Sequence, residues 1–107
     1  MTAPQRSAEQ RAQALEAAMA ARHERARLRI ALKDRTVTGA DVVSGAPDNP
    51  LWGGLKVTWL LECLPGVGAV RADRMLSDLG IAPSRRLQGL GVRQRSALLE
   101  HLRRDGR

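Results

Sequence analysis

Residues 64–91, LPGVGAVRADRMLSDLGIAPSRRLQGLG, set two glycine turns around one short amphipathic segment. Gly66-Val67-Gly68 precedes the segment bearing Arg71 and Arg74. Gly89-Leu90-Gly91 precedes the last apolar-periodic segment, and Ser84, Arg85 and Arg86 lie in the connection before it. The chemistry open to such a pattern is anion binding. A helix start leaves four backbone N–H groups unpaired and carries a partial positive charge. Glycine lets a phosphate approach that backbone closely and permits φ > 0. Two such starts make two anion sites, expected on one face. Arg71 and Arg74, at i and i+3, share a helical face, and Ser84, Arg85 and Arg86 can close over the second turn. One glycine turn with solvent-facing arginines would be ordinary helix capping. Two turns with arginine at both point to phosphate. A dinucleotide fingerprint does not fit, because Arg71 stands where its third glycine belongs and no strand precedes the turn.

Other chemistries find little material. Cys63 is the only cysteine, so an intrachain disulfide is impossible and a reducing cytosol fits. It lies in the apolar run WLLECL and reads as a core residue. His23 and His101 are far apart and no metal-ligand spacing exists. We therefore expect no catalytic residue, no metal and no cofactor. The start, MTAPQRSAEQ, has no apolar signal core, and no run approaches the roughly 20 apolar residues of a membrane span. The expectation is a cytoplasmic protein without a membrane partner. Trp52 and Trp59 are the only aromatics, too few for a base-stacking platform. Trp59 reads as core, and Trp52, between Pro50 and Gly53, is placed to lock the N-terminal arm to the body.

The charge agrees with a polyanionic partner. The chain of 107 residues carries a formal +7, in the range that favours nucleic acid over a merely solvated basic surface. Residues 1–35 hold +4, residues 36–64 hold −2 and residues 65–107 hold +5. Two basic segments around a mildly acidic middle suggest two contact surfaces. Only Lys33 and Lys56 are lysine; the other 16 basic residues are arginine, whose planar fork suits phosphate. A GC-rich codon bias gives the same skew.

The elements that must position these groups are helical. Ser7-Ala8-Glu9-Gln10 reads as a capping box opening a helix to about Lys33, without Gly or Pro. Its apolar stripe is thin, so its first half should project and the part near Leu28–Leu32 should dock. Arg22, Arg25 and Arg29, at i, i+3 and i+7, form a basic stripe on it, either a solvated face or a second DNA surface. Thr38-Gly39-Ala40-Asp41 can start a short helix closed by Ser44-Gly45, and Asn49-Pro50 can start another. Leu55 to Leu64 is apolar on more than one face and reads as a buried central helix ended by Pro65-Gly66. Val67 to Leu79 is the next helix, with Gly80 fitted to end it and Ile81 to fold back on it. Val92–Arg104 is the last, with Leu98, Leu99 and Leu102 facing inward. No segment reads as a strand. The fold class is all-α, divided as a basic N-terminal helix, or lid, over 1–35 and a helical body over 36–107.

The turns and the segments around them resemble the helix-two-turns-helix module of the actinobacterial integration host factors. LPGVGAVRADRMLSDLGI, SRRLQGLG, LKVTWLLECLPG and the EQRAQALEAA-type first helix all take part, so the resemblance spans most of the chain. Host factors that read DNA with a β-ribbon share the name but not the fold. The resemblance implies a long N-terminal helix over a helical body, with DNA contacts from both. It implies Gly66 and Gly68 as backbone donors, Arg71 near phosphate, and Ser84, Arg85 and Arg86 in the second turn. Pro65 matches a proline that could serve as an apolar wedge between bases; as a plain helix stop it needs no such role. Two departures stand out. Ala69 and Gln88 occupy positions where many relatives carry lysine and arginine, which should weaken this face and shift weight to the first helix.

The expected function is non-enzymatic, low-specificity binding of double-stranded DNA through its backbone, with bending or compaction. It would support integration, recombination and chromosome organisation in the nucleoid, with a recombinase or integrase sharing the DNA. The alternative is a ribosome-associated RNA-binding protein using the same module; the basic tail expected of one is not found after Arg103-Arg104-Asp105-Gly106-Arg107. A DNA glycosylase is disfavoured, because Met1-Thr2-Ala3-Pro4-Gln5 offers neither an N-terminal proline nor its adjacent glutamate.

Overall fold

The computed structural model describes residues 7–107. Six helices run in order: α1 Ala8–Lys33, α2 Gly39–Gly45, α3 Pro50–Gly53, α4 Val57–Cys63, α5 Ala69–Leu79 and α6 Val92–Arg104. Single 3-10 turns at Ala46–Asp48 and Leu87–Gly89 precede α3 and α6. The described residues contain no strand; one isolated antiparallel bridge pairs Lys56 with Arg86. The fold is all-α, a long first helix over a small helical body.

Local chemistry sets the helix starts. The Ser7 hydroxyl accepts from the Gln10 N–H (3.1 Å) while Gln10 Oε1 accepts from the Ser7 N–H (2.9 Å). Thr38 and Asp41 repeat the reciprocal cap at α2, at 3.1 and 3.0 Å. Asn49 Oδ1 accepts from the Trp52 N–H (3.2 Å), with Pro50 at the first helical position, where its missing N–H costs nothing. At the end of α5, Gly80 takes φ +66°, and the Ile81 N–H reaches back to the Leu76 carbonyl at 2.9 Å. Ile81 is thereby buried against the helix it follows.

α4 starts two residues later than the apolar run suggests. Leu55 bends and Lys56 stays extended because the backbone there pairs across the fold. The Leu87 N–H donates to the Leu55 carbonyl (3.0 Å), and the Val57 N–H donates to the Arg85 carbonyl (2.9 Å). Leu60 and Leu61 of α4 lie at the centre of the core with Leu76, Leu98, Leu102, Val42 and Val43. Trp59 packs against this core half-buried. Trp52 does not lock the arm, as its position in sequence suggested. Its ring lies against Gly45 of α2, where an added Cβ would stand 2.7 Å from a ring carbon. The aromatic that meets the arm is Trp59.

α1 has no buried residue before Leu28; only Leu28 and Leu32 are buried, and the helix docks on α4 through its C-terminal end. The remainder projects, which stretches the molecule to 55 × 31 × 26 Å. Leu15 and Ile30 are 63% and 65% exposed, so α1 is held by one short apolar patch rather than by a continuous stripe.

The last two helices are antiparallel neighbours. Gln94, in the first turn of α6, donates from Nε2 to the Gly80 carbonyl at the end of α5 (3.0 Å). The other ends meet where Arg107 Nε donates to the Pro65 carbonyl (3.2 Å) and the Ala40 N–H donates to the Arg107 carbonyl (3.2 Å). The first glycine turn, the end of α6 and the start of α2 therefore share one end of the body. The second glycine turn, the end of α5 and the start of α4 share the other.

Candidate nucleic-acid interface

The first turn is built by Leu64-Pro65-Gly66-Val67. The Val67 N–H donates to the Leu64 carbonyl (3.2 Å), and Gly66 takes φ +74°, a left-handed value that favours glycine. Gly68 then caps α5 without a side chain, and a Cβ placed there would meet nothing within 4 Å. The first bond of the helix runs from the Ala72 N–H to the Gly68 carbonyl (2.9 Å), and no side chain caps the start. The N–H groups of Ala69, Val70 and Arg71, all exposed residues, are the orphan donors of this helix start. They open on a hollow of about 780 Å³ whose walls include Arg71, Arg74 and Met75 of α5 and His101 and Asp105 at the end of α6. His101 Nε2 and Asp105 lie 3.5 Å apart on the far wall. Such a concave, uncapped helix start flanked by two guanidinium groups is suited to a phosphate.

The second turn is more occupied. Gly91 caps α6, and its N–H is taken by Gln94 Oε1 at 3.1 Å. Arg85 Nη1 donates to the Gly89 carbonyl (3.1 Å), so this guanidinium folds over the turn. Arg86 Nη1 donates to the Gly54 carbonyl, which pins it toward the start of α4. Ser84 is exposed beside Pro83, whose carbonyl accepts from Thr58 Oγ1 (2.8 Å). Gln88 lies against Gly53, 3.3 Å from where a Cβ would stand. The second connection is thus a rigid brace on α3 and α4.

The two helix starts do not converge on one point. α5 is 11 residues long, which places the starts of the antiparallel pair roughly 16 Å apart along its axis. They are two separate helix starts, the first open and the second partly self-satisfied. Pro65 is half-buried, with its carbonyl held by Arg107.

The stripe on α1 divides. Arg22 is exposed and makes no ion pair among the described residues. Arg29 lies over the Trp59 ring, 5.5 Å from its centroid, a cation–π contact with the body. Arg25 lines a hollow of about 200 Å³ together with Lys56, Trp59 and Arg86. One member of the stripe therefore shares its surroundings with the second turn. Lys56 belongs to this basic cluster and was not singled out from the sequence. The available signal was a lone lysine just before the central helix, but its meaning depends on the bridge to Arg86. Two exposed valines were also missed: Val70 (78%) and Val92 (86%) stand at the starts of α5 and α6, beside the orphan donors.

Comparison with known proteins gives a consistent result. The model of the S13-like H2TH domain family matches residues 32–102. The chain is similar to the integration host factor of Mycobacterium tuberculosis, 50% identical over 100 residues that cover 94% of this chain and 95% of the relative. It is 46% identical over 98 residues to the integration host factor of Streptomyces coelicolor, covering 92% of each. A solved structure of sIHF bound to an 8-bp palindromic DNA matches with a TM-score of 0.77 at 42% identity, over 81% of this chain and 98% of that one.

Proposed function

We infer the function from one premise: this chain belongs to the integration host factor family of actinobacteria, and its body is an S13-like H2TH domain. It is a non-enzymatic protein of the nucleoid that binds double-stranded DNA chiefly through the phosphate backbone and bends or compacts it. It acts in chromosome organisation and in recombination, alongside a recombinase or integrase on the same DNA.

The observation that carries this reading is the uncapped start of α5, opening on a hollow with Arg71 and Arg74 in its wall. A DNA-bound relative of the same fold supports it. Pro65, Gly66, Gly68, Arg71 and Arg74 make the first contact, and Ser84, Arg85, Arg86, Gly89 and Gly91 the second. Arg22, Arg25 and Arg29 extend it along α1. The match to integration host factors over more than nine-tenths of both chains, together with the likeness to an sIHF solved with DNA, favours DNA over ribosomal RNA.

Binding of a random-sequence duplex should weaken with salt. If roughly five phosphates are neutralised, log K against log[salt] has a slope of about −4 to −5. Arg71→Gln with Arg74→Gln should weaken binding on all sequences alike and flatten that slope. A flat wild-type plot, or tighter binding to a double-stranded RNA of equal length, would refute the reading. End-to-end energy transfer on a doubly labelled duplex measures the bend, and unchanged transfer on binding removes the bending claim.

A further inference from the structure

We propose that Arg25, Lys56 and Arg86 form one phosphate socket, which ties α1 to the second turn so that both grip the same nucleic-acid strand. This rests on the DNA-binding reading above and names a contact within it.

The three cations come from three separate parts of the chain: α1, the residue before α4, and the second connection. They line one hollow of about 200 Å³ with Gly54, Leu55 and Trp59, and no acidic side chain lines it with them. The ion pairs among the described residues use Arg27, His101, Arg104 and Arg107, none of these three. Lys56 and Arg86 face each other across an antiparallel bridge. Bridge partners project their side chains to the same side a few ångströms apart, and like charges so placed repel. The fold nonetheless fixes them there by the Val57–Arg85 and Leu87–Leu55 backbone bonds, and α1 brings a third cation to the same place. A single anion turns this repulsion into attraction.

The shape suits a phosphodiester. Arg86 is preorganised by its bond to the Gly54 carbonyl, which leaves the rest of its fork free to donate. Lys56 and Arg25 are exposed and can close on the same two oxygens. Leu55 and the Trp59 ring form an apolar floor, which strengthens charge interactions above it. Arg29 lies over that ring and holds it in place. The basic stripe of α1 and the second turn then meet at one point instead of serving two duplexes there.

The slope of log K against log[salt] tests this because it counts neutralised phosphates and not cations. It is measured on a random-sequence duplex for Arg25→Gln, Lys56→Gln and Arg86→Gln singly and for all three combined. All replace exposed side chains, and thermal melting checks that each variant is folded. With one shared phosphate, each single variant weakens binding at low salt and changes the slope little. The triple variant, with no cation left in the hollow, then loses about 0.9 in total. A loss of about 0.9 for each single variant, adding to about 2.7 in the triple, means separate phosphates and overturns the socket. So does an unchanged slope in the triple variant. Inorganic pyrophosphate is titrated in parallel. If it binds wild type and not the triple variant while their duplex slopes agree, the ligand is a free anion and the backbone contact is wrong. A flat wild-type slope would instead refute the underlying DNA reading, and the socket with it.

Discussion

On the proposed reading, Ala69→Lys should strengthen anion binding at the start of α5. Ala69 is the first residue of α5, exposed, and it lines the hollow with Arg71 and Arg74. A lysine there needs no repacking and places an ammonium beside the orphan N–H groups. Two effects oppose each other. In the free protein, a cation in the first turn works against the helix dipole and costs roughly 0.3–1 kcal/mol. For a domain of this size that lowers Tm by a few degrees, about 4–8 °C per kcal/mol. In the complex, one more phosphate is neutralised. A hydrogen bond to a charged group contributes about 1.5–3 kcal/mol, and screening and side-chain ordering at an exposed site reduce this to about 1 kcal/mol. Affinity at low salt should therefore rise about fivefold, and the salt slope should steepen by about 0.9. Between 50 and 200 mM salt the variant then loses roughly 3.5-fold more affinity than wild type. Fluorescence anisotropy on a labelled random-sequence duplex over a salt series reads both quantities. Ser44→Lys, exposed on α2 in the acidic middle segment, controls for net charge. An unchanged slope in Ala69→Lys, or an equal gain from Ser44→Lys, would refute the assignment of the α5 start as the anion site.

Three further outcomes follow from the packing. Gly45→Ala drives a Cβ to 2.7 Å from the Trp52 ring, so urea unfolding should show a loss of about 1–3 kcal/mol with little effect on DNA binding. Arg107→Ala removes the donor to the Pro65 carbonyl. Hydrogen exchange over Gly66–Arg71 should speed up and duplex affinity should fall; unaltered exchange would mean that the turn holds itself. Burial pushes the Cys63 thiol above its ordinary value, partly offset by the hydrogen bond and charge of Arg29 and by Lys33. The folded chain thus keeps this proton more tightly than the unfolded chain does. The resulting stability is full below the unfolded thiol pKa and is lost as pH rises through the folded one. Urea midpoints should fall at alkaline pH in wild type and fall less in Cys63→Ala, and parallel profiles would contradict this.

What could be read from the sequence was local. The caps at Ser7, Thr38 and Asn49, the left-handed Gly80 and the return of Ile81 each depend on residues within five positions of one another, and the structure has all of them. What could not be read depends on distant pairing. Leu55 and Lys56 look like the first turn of a helix until Leu87 claims the Leu55 carbonyl and Arg85 the Val57 N–H. Val67 looks helical by periodicity, but its N–H closes the turn to Leu64, and α5 begins only at Ala69. Trp52 met α2 rather than α1 because Gly45 leaves room for its ring. The same applies to the candidate site. The residue types were legible, but their grouping was not. Spacing alone suggested two anion sites on one face, whereas the antiparallel packing of α5 and α6 sets the two turns at opposite ends of the body. Nor does spacing reveal that Arg25 reaches the surroundings of Arg86.

That separation bears on the kind of polyanion the surface suits. Two helix starts roughly 16 Å apart, one open and one braced, require phosphates held at a fixed distance. A duplex supplies that distance without further ordering. A flexible single strand must lose conformational freedom to match it and usually recovers the cost by stacking bases on exposed rings. Here neither ring is free for that role: Trp52 lies against Gly45, and Trp59 lies beneath Arg29 and against the core. The apolar groups that remain exposed near the donors are Val70 and Val92, which are too small to stack. On the proposed reading, duplex DNA should therefore bind more tightly than a single strand carrying the same number of phosphates. The higher charge density of the duplex also favours it, most strongly at low salt. The preference should therefore persist at high salt, and its reversal there in competition binding would count against rigid placement of the two sites and not merely against their charge.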